Sequence, residues 1–149
     1  KFEDGAVQFR LRLVVSLLSH RPLLIRNIRS KDVEAPGLKD YEVSFLRLLD
    51  RMTNGSRFEI NSTGTQLKFH PGVLLGGDVS HECPPSRGIG WFLEGILPLG
   101  PFGKEPLLVN LTGWTDGTRE VDPSPDALQS CVVPLLVHHF LALDHDETS

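Results

Sequence analysis

The chain reads as an α/β protein built on a repeated helix–strand–helix unit, and three features of its sequence say so. Apolar residues recur at helical spacing in several separate stretches, the mark of amphipathic helices that bury one face. Residues 57–70 alternate polar and apolar, the period-two pattern of a half-exposed hairpin. The string Pro22-Leu23-Leu24-Ile25 also returns nearly unchanged as Pro106-Leu107-Leu108-Val109, each time after an apolar helix and before a proline-marked one. A unit that recurs in this way implies parallel strands with helices on one face, because a crossover helix must pack back on its sheet.

The elements follow in order. Phe2 ends a short first strand, and Asp4-Gly5 turns the chain. Phe9, Leu13 and Leu17, with Val14 and Leu18, fall four apart and mark a helix over 7–19 that His20-Arg21-Pro22 stops. Leu23 to Arg29 is an apolar strand that turns polar at its end. After Pro36-Gly37, a second helix covers 39–52. Tyr41, Phe45, Leu48, Leu49 and Met52 share one face, with Glu42, Arg47, Asp50 and Arg51 mostly on the other. Asn54-Gly55 is the C-cap signal of that helix.

Arg57–Asn61 and Gln66–His70 then form a hairpin around Thr63-Gly64-Thr65, and Pro71-Gly72 ends it. A short strand follows around Val79. A third helix covers 89–99, made imperfect by Gly95 and Pro98, and a buried strand covers 107–111. A last helix spans 126–143, kinked at Pro134. The first unit is completed by the hairpin. The second reaches Ser149 before any such hairpin, so it reads as truncated.

Composition narrows the function classes. The 149 residues are 40% hydrophobic and 23% charged, ordinary globular values that argue against wholesale disorder. No apolar run approaches the roughly 18–20 residues of a membrane-spanning helix. The chain lacks an initiator Met and a signal-peptide pattern, so its natural start, with any targeting segment, is expected to lie upstream. Cys83 and Cys131, with no CxxC, read as reduced buried thiols in an intracellular, reducing compartment. Asn54, Asn61 and Asn110 head N-x-[ST] sequons, but they read as turn and strand residues without a secretory signal.

Net charge is −4, unevenly distributed. Lys1, Arg10, Arg12, Arg21, Arg26, Arg29 and Lys31 crowd the first 31 residues against Glu3 and Asp4, while residues 116–149 hold seven acids against Arg119. A basic face of this kind meets nucleic acid or an acidic partner; the bland alternative is two solvated surfaces.

Catalytic constellations are hard to assemble. A nucleophile needs a base, and the base an orienting group. His81 and Cys83 are two apart and share a side of a strand, yet a lone H-x-C reads first as structural. His138 and His139 point to different faces of a helix and cannot hold one metal, and across all six histidines, His20, His70 and His145 included, no third and fourth ligand lies at useful spacing. Gly76-Gly77-Asp78 and Arg87-Gly88-Ile89-Gly90 are the best phosphate cradles, and neither matches a Walker or dinucleotide fingerprint. No catalytic, cofactor-binding or metal site is assigned. The candidate RNA or partner contacts are Arg10, Arg12, Arg21, Arg26, Arg29 and Lys31.

The remaining motifs carry a family resemblance. Arg21-Pro22-x-x-Ile25-x-x-Ile28-Arg29, Pro36-Gly37-Leu38 and Pro71-Gly72-x-x-x-Gly76-Gly77 resemble the opening of the RNA 3′-terminal phosphate cyclase family. The run Gly37 to Leu49 resembles the family's non-catalytic, cyclase-like branch, as do Thr53-Asn54-Gly55-Ser56, Glu59-Ile60 and Thr63-Gly64-Thr65. The likeness is dense over 8–92 and thins after Trp114.

The resemblance implies repeated βαβαββ units, each with two helices on a four-stranded sheet. Residues 1–80 would be a first repeat and 81–149 an incomplete second, together the N-terminal part of the family's large domain. It implies a non-enzymatic ribosome-biogenesis factor of the small-subunit processome and 90S pre-ribosome, in the nucleolus of the nucleus. Its implied partners are a ribosome-assembly GTPase, pre-rRNA and snoRNP components, in support of 18S rRNA maturation. It implies no cofactor, no membrane and no small-molecule substrate.

The alternatives are an active ATP-dependent cyclase and a pre-rRNA endonuclease. True cyclases carry a Gly-Glu-Gly-Gly-Gly-Gln turn before the first helix. Here Asp4-Gly5-Ala6-Val7-Gln8-Phe9 stands there, although Arg10 still matches the arginine that follows it. The cyclases' adenylated histidine would lie beyond Ser149. Carboxy-vinyl transferases share similar repeat units, but the basic phosphate-binding motifs of that group are missing.

Overall fold

A computed structural model describes residues 4–113. The first strand at Phe2, the 126–143 helix, Cys131, His138, His139 and His145 lie outside the described residues.

Helix α1, Phe9–Ser19, buries Phe9, Leu13, Val14 and Leu17 as its spacing predicts, while Leu18 is partly exposed. It stops at His20, which takes the left-handed conformation (φ 56°). The amides of His20 and Arg21 then close on the Leu17 and Ser16 carbonyls, satisfying groups the helix end would otherwise leave open.

Strand β1 is Leu23–Ile25, shorter than the 23–29 expected. Asn27 and Arg29 are left-handed (φ 57° and 44°), which no strand tolerates, and the Ile28 amide bonds to the Thr65 carbonyl. The apolar Ile28 is buried, but in a turning loop.

Helix α2, Asp40–Met52, buries Phe45, Leu46, Leu48, Leu49 and Met52. Glu42, expected on the polar face, is also buried. Its carboxylate accepts the Lys39 amide at 2.9 Å, one half of a capping box. The lysine side chain has no acceptor with which to complete the other half.

Asn54-Gly55 does not cap α2. Thr53 is extended, and the chain enters β2 (Thr53–Asn54), which pairs antiparallel with β5 (Val73–Leu74). Gly55, at φ 83°, turns β2 toward β3.

The hairpin forms as read. β3 (Arg57–Ile60) pairs antiparallel with β4 (Leu67–His70), with Phe58 opposite Phe69 and their rings stacked at 4.9 Å. β1 adds to the far side of β4, also antiparallel, so this sheet runs β1-β4-β3. The expectation of parallel strands therefore fails here, because β1 finds its partner in a hairpin strand.

It holds in the second unit. β6 (Gly77–Glu82) and β7 (Leu107–Thr112) pair in parallel, joined by helix α3 (Ile89–Ile96) and a 3-10 helix, Leu97–Phe102. Pro98 and Pro101 account for the change of helix type, since neither can donate to a continuing α-helix. The two similar strings Pro-Leu-Leu thus sit in sheets of opposite sense. Mixed helices and strands nonetheless make the α/β class expected.

One core joins α1, α2, α3 and the sheets. Trp91 is central to it. Its ring meets Tyr41, Phe45 and Phe92 edge-on at 5.1, 5.6 and 4.9 Å.

Candidate functional site

The six basic residues singled out by sequence do not form one patch. Arg10 lies in a cleft of about 730 Å³ bordered by α1, α2 and α3. Its guanidinium donates to the Trp91 carbonyl at 2.7 Å, approaches Glu94 at 3.5 Å and stacks 4.7 Å over the Trp91 ring. Arg87 enters the same cleft over the Tyr41 ring at 4.8 Å. Arg12 donates to the Gly5 carbonyl at 3.0 Å and so ties α1 to the turn before it.

Arg29 also borders this cleft, and it is turned inward. Its guanidinium pairs with the buried Glu42 carboxylate and reaches the Gly37 carbonyl at 3.2 Å. Burial opposes its charge, but the hydrogen bond and charge of Glu42 outweigh that and raise its pKa. Its backbone amide donates to Asp4, which also accepts the Ala6 amide at 2.8 Å. Burial works against the Asp4 carboxylate, yet these two amides and the Arg29 charge hold its pKa below the ordinary value. Arg21, Arg26 and Lys31 are exposed, with no side-chain partner among the described residues.

Most amides of the Asp4–Phe9 turn bond to the protein's own oxygens. The Gly5 amide bonds to the Asn27 carbonyl at 3.0 Å, Val7 to Asp4, and Phe9 to Ala6. Gly5 itself cannot carry a side chain, because a Cβ there would lie 2.2 Å from the Arg26 carbonyl oxygen. The Gly76-Gly77 pair leads into a strand, not a helix, and a Cβ on Gly76 would meet the Glu105 carbonyl oxygen at 2.1 Å. It is a close-packed backbone crossing. Gly88 precedes α3 in extended conformation.

His81 and Cys83 do not form a dyad. Both are buried, but His81 Nε2 sits 2.8 Å from Ser44 Oγ, and its Nδ1 is 3.3 Å from the Arg51 guanidinium. Burial pushes the Cys83 thiol up to about 11, so it is no ready nucleophile. Among the described residues, no group of three or more His, Cys, Asp or Glu could hold a metal ion.

Sequence reasoning passed over Ser44, Arg47 and Arg51. Their signal was present, since positions 44, 47 and 51 fall on one helical stripe. Their convergence on His81, 30 or more residues away in sequence, was not legible.

Helices against short antiparallel and parallel sheets, with an arginine- and aromatic-lined cleft, define a mixed α/β protein. The chain belongs to the RNA 3′-terminal phosphate cyclase family, which it matches over residues 1–146. Within the family it falls in the cyclase-like branch, as part of the N-terminal region. It is 55% identical over 132 residues to the RNA 3′-terminal phosphate cyclase-like protein of Homo sapiens, covering 89% of this chain and 35% of that one. It is 49% identical over 133 residues to the rRNA processing protein RCL1 of Saccharomyces cerevisiae, with the same coverage. The Schizosaccharomyces pombe rRNA processing protein is 44% identical over 136 residues, 91% of this chain and 37% of that one. The chain thus spans about a third of the length of these relatives.

Proposed function

We propose that this chain is part of a non-enzymatic ribosome-biogenesis factor that supports pre-rRNA processing toward 18S rRNA in the nucleolus. The observation that carries this reading is its similarity, over nine-tenths of its length, to two relatives named rRNA processing proteins. Its partners on this reading are a ribosome-assembly GTPase, pre-rRNA and the snoRNA-containing small-subunit processome. Arg21, Arg26 and Lys31 supply solvent-facing contacts to RNA or partner. Arg10, Arg12 and Arg29 shape the surface from which those contacts are made.

Loss of cyclase activity is part of the proposal. It is supported by the Asp4–Phe9 turn, where the amides of Gly5, Ala6, Val7 and Phe9 bond to the protein's own oxygens in place of a phosphate. We also read the chain as two repeat units. The first covers 1–80 and the second begins at 81; the helical crossover between the parallel strands β6 and β7 supports a recurring unit.

The test uses the full-length protein. Affinity purification should recover pre-ribosomal particles and a GTPase, and depletion should diminish 18S rRNA precursors' cleavage. Incubation with ATP and a 3′-phosphorylated RNA should give neither a covalent adenylate nor a 2′,3′-cyclic end. Either product would replace this reading with an active cyclase.

A further inference from the structure

Beside the face of α2 that carries Ser44, Arg47 and Arg51 lies a cavity of about 450 Å³, separate from the arginine–tryptophan cleft. His81, Asn110 and Thr112 complete its lining, at the carboxyl ends of the parallel strands β6 and β7. Open parallel sheets commonly bind ligands at that end of their strands.

The hydrogen-bond directions in this cavity are settled by chemistry. A guanidinium only donates, so the Arg51 contact at 3.3 Å makes His81 Nδ1 an acceptor. Burial, with the charges of Arg51 and Arg47, holds the ring neutral against the opposing pull of Glu82. The ring proton is therefore on Nε2, and it donates to Ser44 Oγ at 2.8 Å. Ser44 accepts that bond, which leaves its own hydroxyl proton for another acceptor. Arg51 is anchored by a second donation to the Ser80 carbonyl at 2.8 Å. A chain of donors thus runs from Arg51 through His81 to Ser44, each bond polarising the next.

The same polarity excludes a Ser–His nucleophile. His81 gives its proton to Ser44 and cannot take one from it, and an arginine stands where an orienting carboxylate would be needed.

Arg47 lies one turn from Ser44 on the same stripe and makes no hydrogen bond or ion pair among the described residues. Two guanidinium groups face one carboxylate, that of the exposed Glu82. Hydroxyl and amide donors come from Thr112 and Asn110. We infer that this cavity is a phosphate oxyanion site, held by Arg47, Arg51 and the Ser44 hydroxyl. The phosphate is either free or a phosphodiester of an RNA strand. The inference stands apart from the rRNA-processing reading, since phosphate binding is measured on the purified chain alone.

The test follows the His81 ring nitrogens by NMR in the full chain as inorganic phosphate is added to tens of millimolar. The wild-type signals should shift saturably. Arg47→Gln, at an exposed position, should weaken that binding about tenfold, as loss of one charge-assisted bond does, and Arg47→Lys should keep most of it. Single-stranded oligouridylate is titrated in parallel across a salt series. If an RNA phosphodiester occupies the site, Arg47→Gln lowers the salt slope by about 0.7. An unchanged RNA slope with weakened phosphate binding assigns the site to free phosphate. Unmoved His81 signals in the folded wild-type protein, or equal shifts in Arg47→Gln, would overturn the inference.

Discussion

Arg29 and Glu42 form an ion pair whose acidic partner is almost wholly buried, its side chain 3% exposed. Glu42 uses one oxygen, Oε1, both for the Arg29 guanidinium and for the Lys39 amide that starts α2. The left-handed loop after β1 is thereby fastened to the first turn of the helix. This geometry and its neighbours lead to four measurable outcomes.

Removing Glu42 strands the Arg29 charge and opens the α2 cap together. Glu42→Ala should destabilise the fold by about 3 kcal/mol, the range for breaking a buried pair. Chemical denaturation of wild type and variant measures it. A loss no larger than an exposed pair gives, about 0.5 kcal/mol, would place the pair in water instead.

Gly95 looks in sequence like a flaw in the third helix. In the structure it makes room for the core, because a Cβ there would lie 2.7 Å from the Phe45 ring and 3.1 Å from Arg10 Cδ. Gly95→Ala should therefore lower the thermal midpoint. Overpacking costs about 1–3 kcal/mol and exceeds the roughly 1 kcal/mol that alanine returns in helix propensity. A raised midpoint would show that the ring yields freely.

The His81 pKa is lowered in the fold, by burial first, then by Arg51 and Arg47, against Glu82. The unfolded chain therefore takes up this proton more readily as pH falls. The stability linked to His81 is complete above its ordinary value of 6.5 and drains away as pH drops from there toward the folded value. Urea midpoints should fall between neutral pH and pH near 5, and His81→Gln should flatten that dependence. The depressed carboxylates Asp4 and Asp32 do not confuse the window, since their losses begin near their ordinary value of 3.8 and below.

Cys83 should be slow to alkylate. With its pKa near 11, about a thousandth of it is thiolate at pH 8. In a Cys131→Ser background, iodoacetamide should label native protein at least about a hundredfold more slowly than unfolded protein. Matching rates would show the thiol to be open to solvent.

Where the pattern was local, reading it succeeded. The faces of α1 and α2 and the 57–70 hairpin follow from spacings of 3.6 and 2 within short stretches. The strand read as buried over 107–111 does form, but it alternates half-buried and exposed residues, with Leu108 facing outward. Glu42 was misplaced because its charge assigns it to solvent, and it is buried only where the half-buried Arg29 guanidinium meets it. Asn54-Gly55 was a turn as expected, but it serves a strand pair, since Thr53 meets Leu74 across a gap in sequence.

By itself the sequence determined the periodicities, the turns and the motifs that mark the family, because side-chain spacing and backbone restriction act over a few residues. Only the tertiary structure decided that β1 runs antiparallel to β4 while β7 runs parallel to β6. It alone brought Ser44 and Arg51 of one helix to His81 of a later strand. Strand direction and side-chain convergence are set by which distant surfaces bury one another, and no local period records that choice.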